Sequence, residues 1–211
     1  MKLADRQAFF ARLAAIDPTP KTELEYDTPF QLLVAVVLSA QATDKGVNRA
    51  TRPLFRAYPT ASALVELGEQ GISEYIQTIG LYRTKAKNVA ALSKLIAERH
   101  GGEVPHDREA LEALPGVGRK TANVVLNVVF GEPTMAVDTH IFRVANRTGL
   151  GLGKTVTVVE QKLLKSVPSE FRQHAHHWLI LLGRYTCKAR NPACPRCPVN
   201  DLCSYKAKHA L

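Results

Sequence analysis

The sequence predicts an all-α protein. Apolar side chains recur at three- and four-residue intervals along most of the chain, which is the spacing of one helix face. Alternating patterns typical of strands are scarce, and proline and glycine separate the helical stretches. The most apolar stretch, FQLLVAVVLSAQ at 30–41, is apolar nearly all round and follows Thr28 and Pro29, a helix-start signal. We therefore expect it to be the central helix of its domain.

The other helices are predicted from the same spacing and from the turn residues between them. They are expected at 1–16, 44–58, 61–67, 72–79, 83–99, 107–114, 119–131, 141–148, 156–167 and 169–185. The longest apolar run, Leu32–Leu38, is far shorter than the roughly 20 residues of a membrane span, and the charged N-terminal helix is no signal peptide. A cytoplasmic protein, monomeric by default, is expected.

The charge balance favours a polyanionic partner. The 211 residues include 28 Lys and Arg against 19 Asp and Glu, which gives a formal net charge of +9. Such a surface attracts nucleic acid, although a basic balance also occurs in proteins that merely stay soluble. A hydrophobic content of 45% is ordinary for a globular chain of this length.

A tight turn, Leu114-Pro115-Gly116-Val117-Gly118, joins two predicted helices. Proline cannot extend the first helix, and the glycines let the backbone turn sharply and approach another molecule. Backbone amides from Gly116 onward, at the start of the second helix, are unpaired donors that suit an anion. Lys120 lies in the same first helical turn. Taken alone, the stretch predicts a phosphate-binding hairpin, with Lys120 more readily a phosphate contact than a catalytic group.

An echo of the hairpin occurs upstream. Residues 79–86, IGLYRTKA, align with 115–122, PGVGRKTA, and share the Gly, Arg and Ala positions. Chance similarity of two helix–turn–helix joints is as good an explanation as a shared polyanion.

Asp138 begins another helical stretch. It precedes the pattern over Ile141–Thr148, where aspartate is a favoured N-cap. A capping role and a functional role are compatible, since a carboxylate has two oxygens.

All four cysteines fall in the C-terminal part of the chain, at Cys187-x6-Cys194-x2-Cys197-x5-Cys203. Clustered thiols without a secretory signal favour a metal site over disulfides. Spacing alone leaves tetrahedral zinc and an iron–sulfur cluster equally open. The same segment is basic and is either a solvated end or a phosphate-contacting loop; it contains Lys188, Arg190, Arg196, Lys206 and Lys208.

Together, LPGVGRKTAN at 114–123, VDTHIFRVANR at 137–147 and the cysteine spacing resemble the endonuclease III family, helix–hairpin–helix DNA glycosylases with lyase activity. SAQATD at 39–44, IGLYRTKA at 79–86 and HHWLILLGRYTC at 176–187 are similar to it as well. The resemblance covers most of the chain. It implies two helical domains, 22–132 with the hairpin and 1–21 plus 133–211, with the active site at the mouth of a DNA-binding cleft between them. It also implies a [4Fe-4S] cluster, chiefly structural, with Cys187, Cys194, Cys197 and Cys203 as ligands.

The resemblance further implies the reaction. The substrate is duplex DNA carrying an oxidised or ring-saturated pyrimidine, which is extruded from the stack before chemistry. Lys120 matches the family's nucleophile, which attacks C1′, forms a Schiff base and leads to strand cleavage by β-elimination. Asp138 matches the family's essential carboxylate.

The same resemblance assigns the DNA contacts. Leu81 corresponds to the apolar wedge inserted into the base stack, and Gln41 to the residue that fills the space left by the flipped nucleotide. Without it, both would be taken as ordinary packing or helix-end residues. Phosphates are expected at the hairpin and the cysteine segment; the proposed contacts are Gly116, Val117, Gly118, Arg119, Lys120 and Arg190.

Two other functions compete with this one. An adenine-mismatch glycosylase of the same superfamily shares the hairpin, the aspartate and the cysteines, but it lacks lysine at the hairpin position. A non-catalytic, metal-stabilised DNA-binding module would require neither Lys120 nor Asp138.

Overall fold

The computed structural model describes residues 1–206, and this part of the chain is helical without a strand, which confirms the predicted fold class. The short helices are 3₁₀ turns at Ser169–Phe171 and Cys194–Arg196 and a π-helix at Leu182–Thr186. The α-helices are α1 Leu3–Ile16, α2 Pro29–Leu38, α3 Asp44–Ala57, α4 Ala61–Ile76, α5 Tyr82–Arg99, α6 Arg108–Glu112, α7 Arg119–Phe130, α8 Thr139–Thr148, α9 Val156–Ser166 and α10 Arg172–Leu181. Within residues 1–206, no helix has the length and apolar character that crossing a membrane requires.

The chain forms two compact units. One is the continuous segment Thr22–Phe130, and the other joins Met1–Lys21 to the chain from Gly131 onward. The sequence placed this boundary after residue 132, whereas it falls after Phe130. Each unit has its own core of buried apolar residues.

Helix α2 is the central helix of the continuous unit, as its apolar character predicts. Every residue from Phe30 to Leu38 is buried, and α2 packs against α3, α5 and α7. Its start is fixed locally, because the Thr28 side chain accepts a hydrogen bond from the Gln31 amide at 3.2 Å. Pro29 takes the first helical position, where its missing N–H costs nothing.

Element α4 consists of two helices, as the sequence predicts. The helices expected at 61–67 and 72–79 correspond to the two parts of Ala61–Ile76, which are separated by a kink at Gly68. Gly68 has φ 71° and ψ 172°, a conformation that a side chain rarely adopts. The second helix ends at Ile76, so residues up to Leu81 form the turn into α5.

The discontinuous unit is built on α1, α8, α9 and α10. Phe10 of α1 lies against Phe171 and Trp178, with ring centroids 6.0 and 6.4 Å apart. The Trp178 indole N–H donates to the Asp17 carbonyl at 2.7 Å, so the tryptophan is buried with its polar atom satisfied. These contacts attach the N-terminal helix to the C-terminal part of the chain.

Helix α10 does not end in an ordinary cap. It continues into the π-helix Leu182–Thr186, and Cys187 follows directly. Gly183 lies so close to α8 that a Cβ added to it would stand 2.8 Å from the His140 Cβ. A glycine is therefore required where the π-helix crosses α8.

Candidate active site and cysteine pocket

The hairpin is the turn between α6 and α7. Gly116 has φ 80°, and a Cβ there would stand 3.0 Å from the Asn88 Cβ of α5. The apolar residues of the turn face inward, since Leu114 and Val117 are 3% and 5% exposed. The sequence predicted this turn because its glycines and its apolar residues are both needed to build it.

The hairpin amides differ in availability. The Val117 amide donates to the Leu114 carbonyl at 3.0 Å, so it closes the turn and is not a free donor. The expectation that the Val117 amide holds phosphate is therefore at odds with this geometry, because that N–H already has an acceptor. Gly116 and Gly118 are exposed, and their amides have no backbone acceptor among the described residues. Those two amides remain as donors for an external anion.

Lys120 and Arg119 are the first two residues of α7, and both are exposed. Exposure leaves the Lys120 amine accessible to a bound molecule. The position therefore suits nucleophilic chemistry as well as it suits phosphate binding.

Asp138 caps helix α8. Its Oδ1 accepts a hydrogen bond from the Ile141 amide at 2.8 Å, which is the predicted N-cap contact. The residue is half-buried, and the cap fixes the orientation of its carboxylate. The second oxygen, Oδ2, has no hydrogen bond to the described residues, so it is free to act on a bound molecule.

Gln41 and Leu81 share an unusual backbone. Their φ values are 53° and 61°, and with Asn191 they are the non-glycine residues of positive φ in the described part of the chain. Both are exposed, and Leu81 is 60% exposed. Their segments are adjacent, because a Cβ on Gly80 would stand 3.9 Å from the Gln41 carbonyl oxygen. Left-handed backbone costs about 1–2 kcal/mol at a side-chain-bearing residue, and such strain concentrates at functional positions.

The four cysteines line one pocket. All four are free of disulfides, and the pocket wall is completed by Thr148, Leu182, Thr186, Asn200 and Tyr205. Burial, together with the other three thiols, raises the pKa of Cys197, so four thiolates need a positive partner there. Within residues 1–206, no group of three or more His, Cys, Asp or Glu residues is placed to hold a single metal ion. Four cysteine thiols around one pocket are the donor set of a tetrahedral zinc ion or of an iron–sulfur cluster.

Donors around the pocket also fit a cluster. The Tyr205 amide lies 3.5 Å from the Cys203 Sγ, and Nη1 of Arg147 lies 3.6 Å from the Cys187 Sγ. Hydrogen bonds to cysteine sulfur stabilise the thiolate form and tune an iron–sulfur site.

Two arginines of α8 hold the cysteine segment, and sequence reasoning missed both. Arg143 donates to the Cys187 and Gly183 carbonyls, each at 2.9 Å. Arg147 donates to the Lys188 and Ala189 carbonyls at 2.6 and 3.1 Å, and it stacks on the Tyr205 ring at 4.6 Å. Their four-residue spacing, which places both on one helix face, was the available signal. The partners could not be identified from sequence because they are carbonyls of a distant segment.

Arg190 is exposed in the same segment, beside Asn191 with φ 49°. Its position is compatible with a phosphate contact. Lys208, which the sequence grouped with it, lies outside the described residues.

Two family matches cover the hairpin and the cysteine pocket. A family described as "HhH-GPD superfamily base excision DNA repair protein" matches residues 34–169, and one described as "Iron-sulfur binding domain of endonuclease III" matches residues 187–203. The fold and site therefore define a base-excision DNA-repair protein of the helix–hairpin–helix glycosylase class. The predicted [4Fe-4S] cofactor is confirmed, in agreement with the pocket.

Comparison over the whole chain is more specific. The sequence is 58% identical to endonuclease III of Haemophilus influenzae and of Escherichia coli K12, each over 208 residues and 99% of both chains. A solved structure, "Structure of a Trapped Endonuclease III-DNA Covalent Intermediate: Estranged-Adenine Complex", matches with a TM-score of 0.91 and 42% identity, covering 100% of both chains. The chain belongs to the endonuclease III family. Its predicted enzyme class, DNA glycosylase and abasic-site lyase, is confirmed.

Proposed function

We propose that this enzyme removes oxidised or ring-saturated pyrimidines from duplex DNA and then cleaves the abasic strand. The observation that carries the proposal is Lys120, exposed in the first turn of α7 directly after the unpaired Gly116 and Gly118 amides. An amine presented beside a phosphate-binding turn is held close to the sugar of the same backbone. Damage weakens stacking and pairing, so an oxidised base costs less to extrude than an intact one.

Lys120 is the proposed nucleophile. Its neutral amine forms a bond to C1′ while the bond from C1′ to the base breaks, and the base leaves with the electron pair and takes up a proton. Opening of the sugar ring gives a protonated Schiff base between Lys120 and C1′. Loss of a C2′ proton then expels the 3′ phosphate by β-elimination, which cuts the strand on the 3′ side of the lesion.

Asp138 is the proposed carboxylate partner. Its Oδ1 is occupied by the Ile141 amide, which leaves Oδ2 to stabilise positive charge at the sugar or to accept a proton. The cap therefore orients the catalytic oxygen rather than competing with it.

The proposed DNA contacts divide into two kinds. Gly116, Gly118, Arg119 and Arg190 bind phosphates, which makes affinity fall steeply with salt. Val117 supports the hairpin through its buried side chain, since its amide is already used. Leu81 enters the base stack as a wedge, and Gln41 fills the space left by the extruded nucleotide.

The cysteine segment has a proposed structural role. Cys187, Cys194, Cys197 and Cys203 would hold the [4Fe-4S] cluster, which would cross-link these four cysteines and so fix the loop that carries Arg190. We further propose that the enzyme acts as a monomer in the cytoplasm, associated with the nucleoid through DNA.

Borohydride trapping on a duplex with one thymine glycol tests the nucleophile. Lys120→Gln is expected to abolish the covalent protein–DNA adduct while the protein still binds the duplex. Lys94→Gln is the matched control, because Lys94 is an exposed lysine of α5 already paired with Glu98 at 3.8 Å. Unchanged trapping by the Lys120 variant would refute the assignment.

The same duplex, with abasic and undamaged controls, distinguishes the competing functions. Strand cleavage at the lesion supports the bifunctional enzyme. Base loss without a nick indicates a monofunctional glycosylase, and binding without either indicates a DNA-binding module.

A further inference from the structure

We propose that the start of α5 is a second phosphate site, in which the Lys85 ammonium and the amides of the first helical turn take a DNA phosphodiester. The proposal rests on the proposed function, because it assumes that the adjacent Leu81 turn meets DNA. It is distinct from the hairpin, which lies between α6 and α7.

The start of α5 has free donors. Leu81 occupies the N-cap position and offers no side-chain acceptor. Helices α2, α3, α4, α6, α8 and α9 each begin with a threonine or aspartate whose side chain accepts a backbone amide. The first backbone bond of α5 runs from the Lys85 amide to the Leu81 carbonyl at 3.0 Å, so the amides of 82–84 precede it. An anion is the natural partner for such an uncapped end.

Lys85 supplies an independent observation. The residue is 5% exposed, and its Nζ is buried without a hydrogen-bond partner among residues 1–206. Lysine is almost never fully buried unless its amine is paired. Burial lowers the pKa of Lys85, so the buried position disfavours the charge. The free protein thus holds a cation in an unfavourable place.

Helix geometry brings the two features together. Side chains of a helix lean toward its N-terminus, and Lys85 is the fourth residue of α5, so the general geometry of a helix directs its stem toward the turn that carries the uncapped amides. The four-carbon stem also lets the ammonium reach out by rotation. A phosphate arriving at the turn would therefore meet backbone amides and a charge that gains by leaving its buried position.

The surroundings select DNA as the source of the phosphate. Leu81, whose backbone is strained and whose side chain is 60% exposed, directly precedes the turn. Arg83 is exposed on the same turn, with its guanidinium 5.6 Å from the Tyr82 ring centroid. An apolar projection beside several cationic donors matches a duplex, which offers stacked bases next to a phosphate backbone.

The test compares Lys85→Met with Lys94→Met by duplex affinity over a salt series, using an abasic-site analogue. Lys85→Met is expected to weaken binding about tenfold and to reduce the slope of log affinity against log salt by about one. The same variant is expected to be at least as stable as the parent, because methionine removes an unpartnered buried amine but keeps the apolar stem. Lys94→Met, which loses an exposed and paired charge from the same helix, is expected to leave the slope unchanged.

Three results would overturn the proposal: a Lys85→Met variant with parental slope and affinity, one that is destabilised or unfolded, or an equal loss in the Lys94 control. A destabilised variant counts against it because the amine would then have had a partner in the free protein. Failure of the proposed function is distinguishable, since the parent enzyme would then form no borohydride adduct at all.

Discussion

Two turns in the unit Thr22–Phe130 enter their second helix in opposite ways. The hairpin turn has its positive φ at Gly116, where no side chain is strained. The α4–α5 turn has its positive φ at Leu81, a residue whose side chain makes this conformation strained. In the alignment of 79–86 with 115–122, Leu81 falls opposite Val117, so the left-handed residue is displaced by one position. The sequence similarity between 79–86 and 115–122 is therefore not accompanied by the same backbone conformation.

The difference separates two ways of meeting a nucleic acid. A glycine turn adopts positive φ without strain and brings backbone amides close to a phosphate, so its side chains take no part in binding. A strained leucine turn projects an apolar side chain into solvent and lowers the stability of the fold. Such strain is typical of residues that have a functional role. Mutations that exchange these properties test the comparison.

The largest expected effect is on the hairpin. Gly116→Val places a branched side chain at φ 80° and within 3.0 Å of Asn88, so we expect the free energy of unfolding to fall by about 3 kcal/mol. Urea denaturation measures it. Gly101→Val is the control, because Gly101 has φ 59° but open space around its Cβ and should lose only the conformational part. Equal losses of unfolding free energy in the two variants would show that the close contact of Gly116 with Asn88 of α5 adds nothing to the effect of Gly116→Val.

A smaller effect is expected at the other hairpin glycine. No atom of the described part of the chain lies within 4 Å of a Cβ added to Gly118, and the φ of Gly118 is not in the left-handed region. Gly118→Ala should therefore leave stability within about 0.5 kcal/mol of the parent, but weaken duplex binding about tenfold by keeping phosphate away from the amide. Fluorescence anisotropy with an abasic-site duplex measures binding. Parental affinity would mean that this amide holds no phosphate.

The smallest effect is expected at the strained turn. Asparagine tolerates left-handed backbone better than leucine, so Leu81→Asn should raise the free energy of unfolding by up to about 1 kcal/mol while lowering base excision. Leu81→Ala, which keeps the strain and removes the wedge, should lose excision without gaining stability. Thermal melts and single-turnover excision assays separate the two. Full activity in both variants would argue that Leu81 is merely an exposed leucine.

Local chemistry explains what the sequence could predict. Thr28 and Asp138 cap α2 and α8, because the side chain of each accepts a hydrogen bond from the backbone amide three residues ahead. Such local contacts can be predicted from neighbouring residues in the sequence. The Gly116 turn was likewise predictable from its glycine. The candidate residues Lys120, Asp138 and the cysteines were named through family resemblance, since spacing alone left zinc and a cluster open.

The features that the sequence did not predict depend on contacts between residues that are far apart in the chain. Nothing local predicts a left-handed Leu81, because sterics argue against it and only the surrounding fold enforces it. The unpartnered Lys85 amine was equally unforeseen, since a lysine in a helix is normally solvated. The arginines Arg143 and Arg147 bind carbonyls of a segment far along the chain.

The π-helix at Leu182–Thr186 sets the orientation of Cys187 in the cysteine pocket. A π-turn holds one residue more than an α-turn, so everything after it is rotated by about 100° relative to a continuous α-helix. Cys187 is the first residue to receive that rotation, and it lines the pocket. Deleting one residue from this segment would give a more regular helix and turn the first cysteine away from the other three. The length of the segment 182–186 is thus constrained by the position that Cys187 must take in the pocket, which Leu182 and Thr186 of the same segment also line.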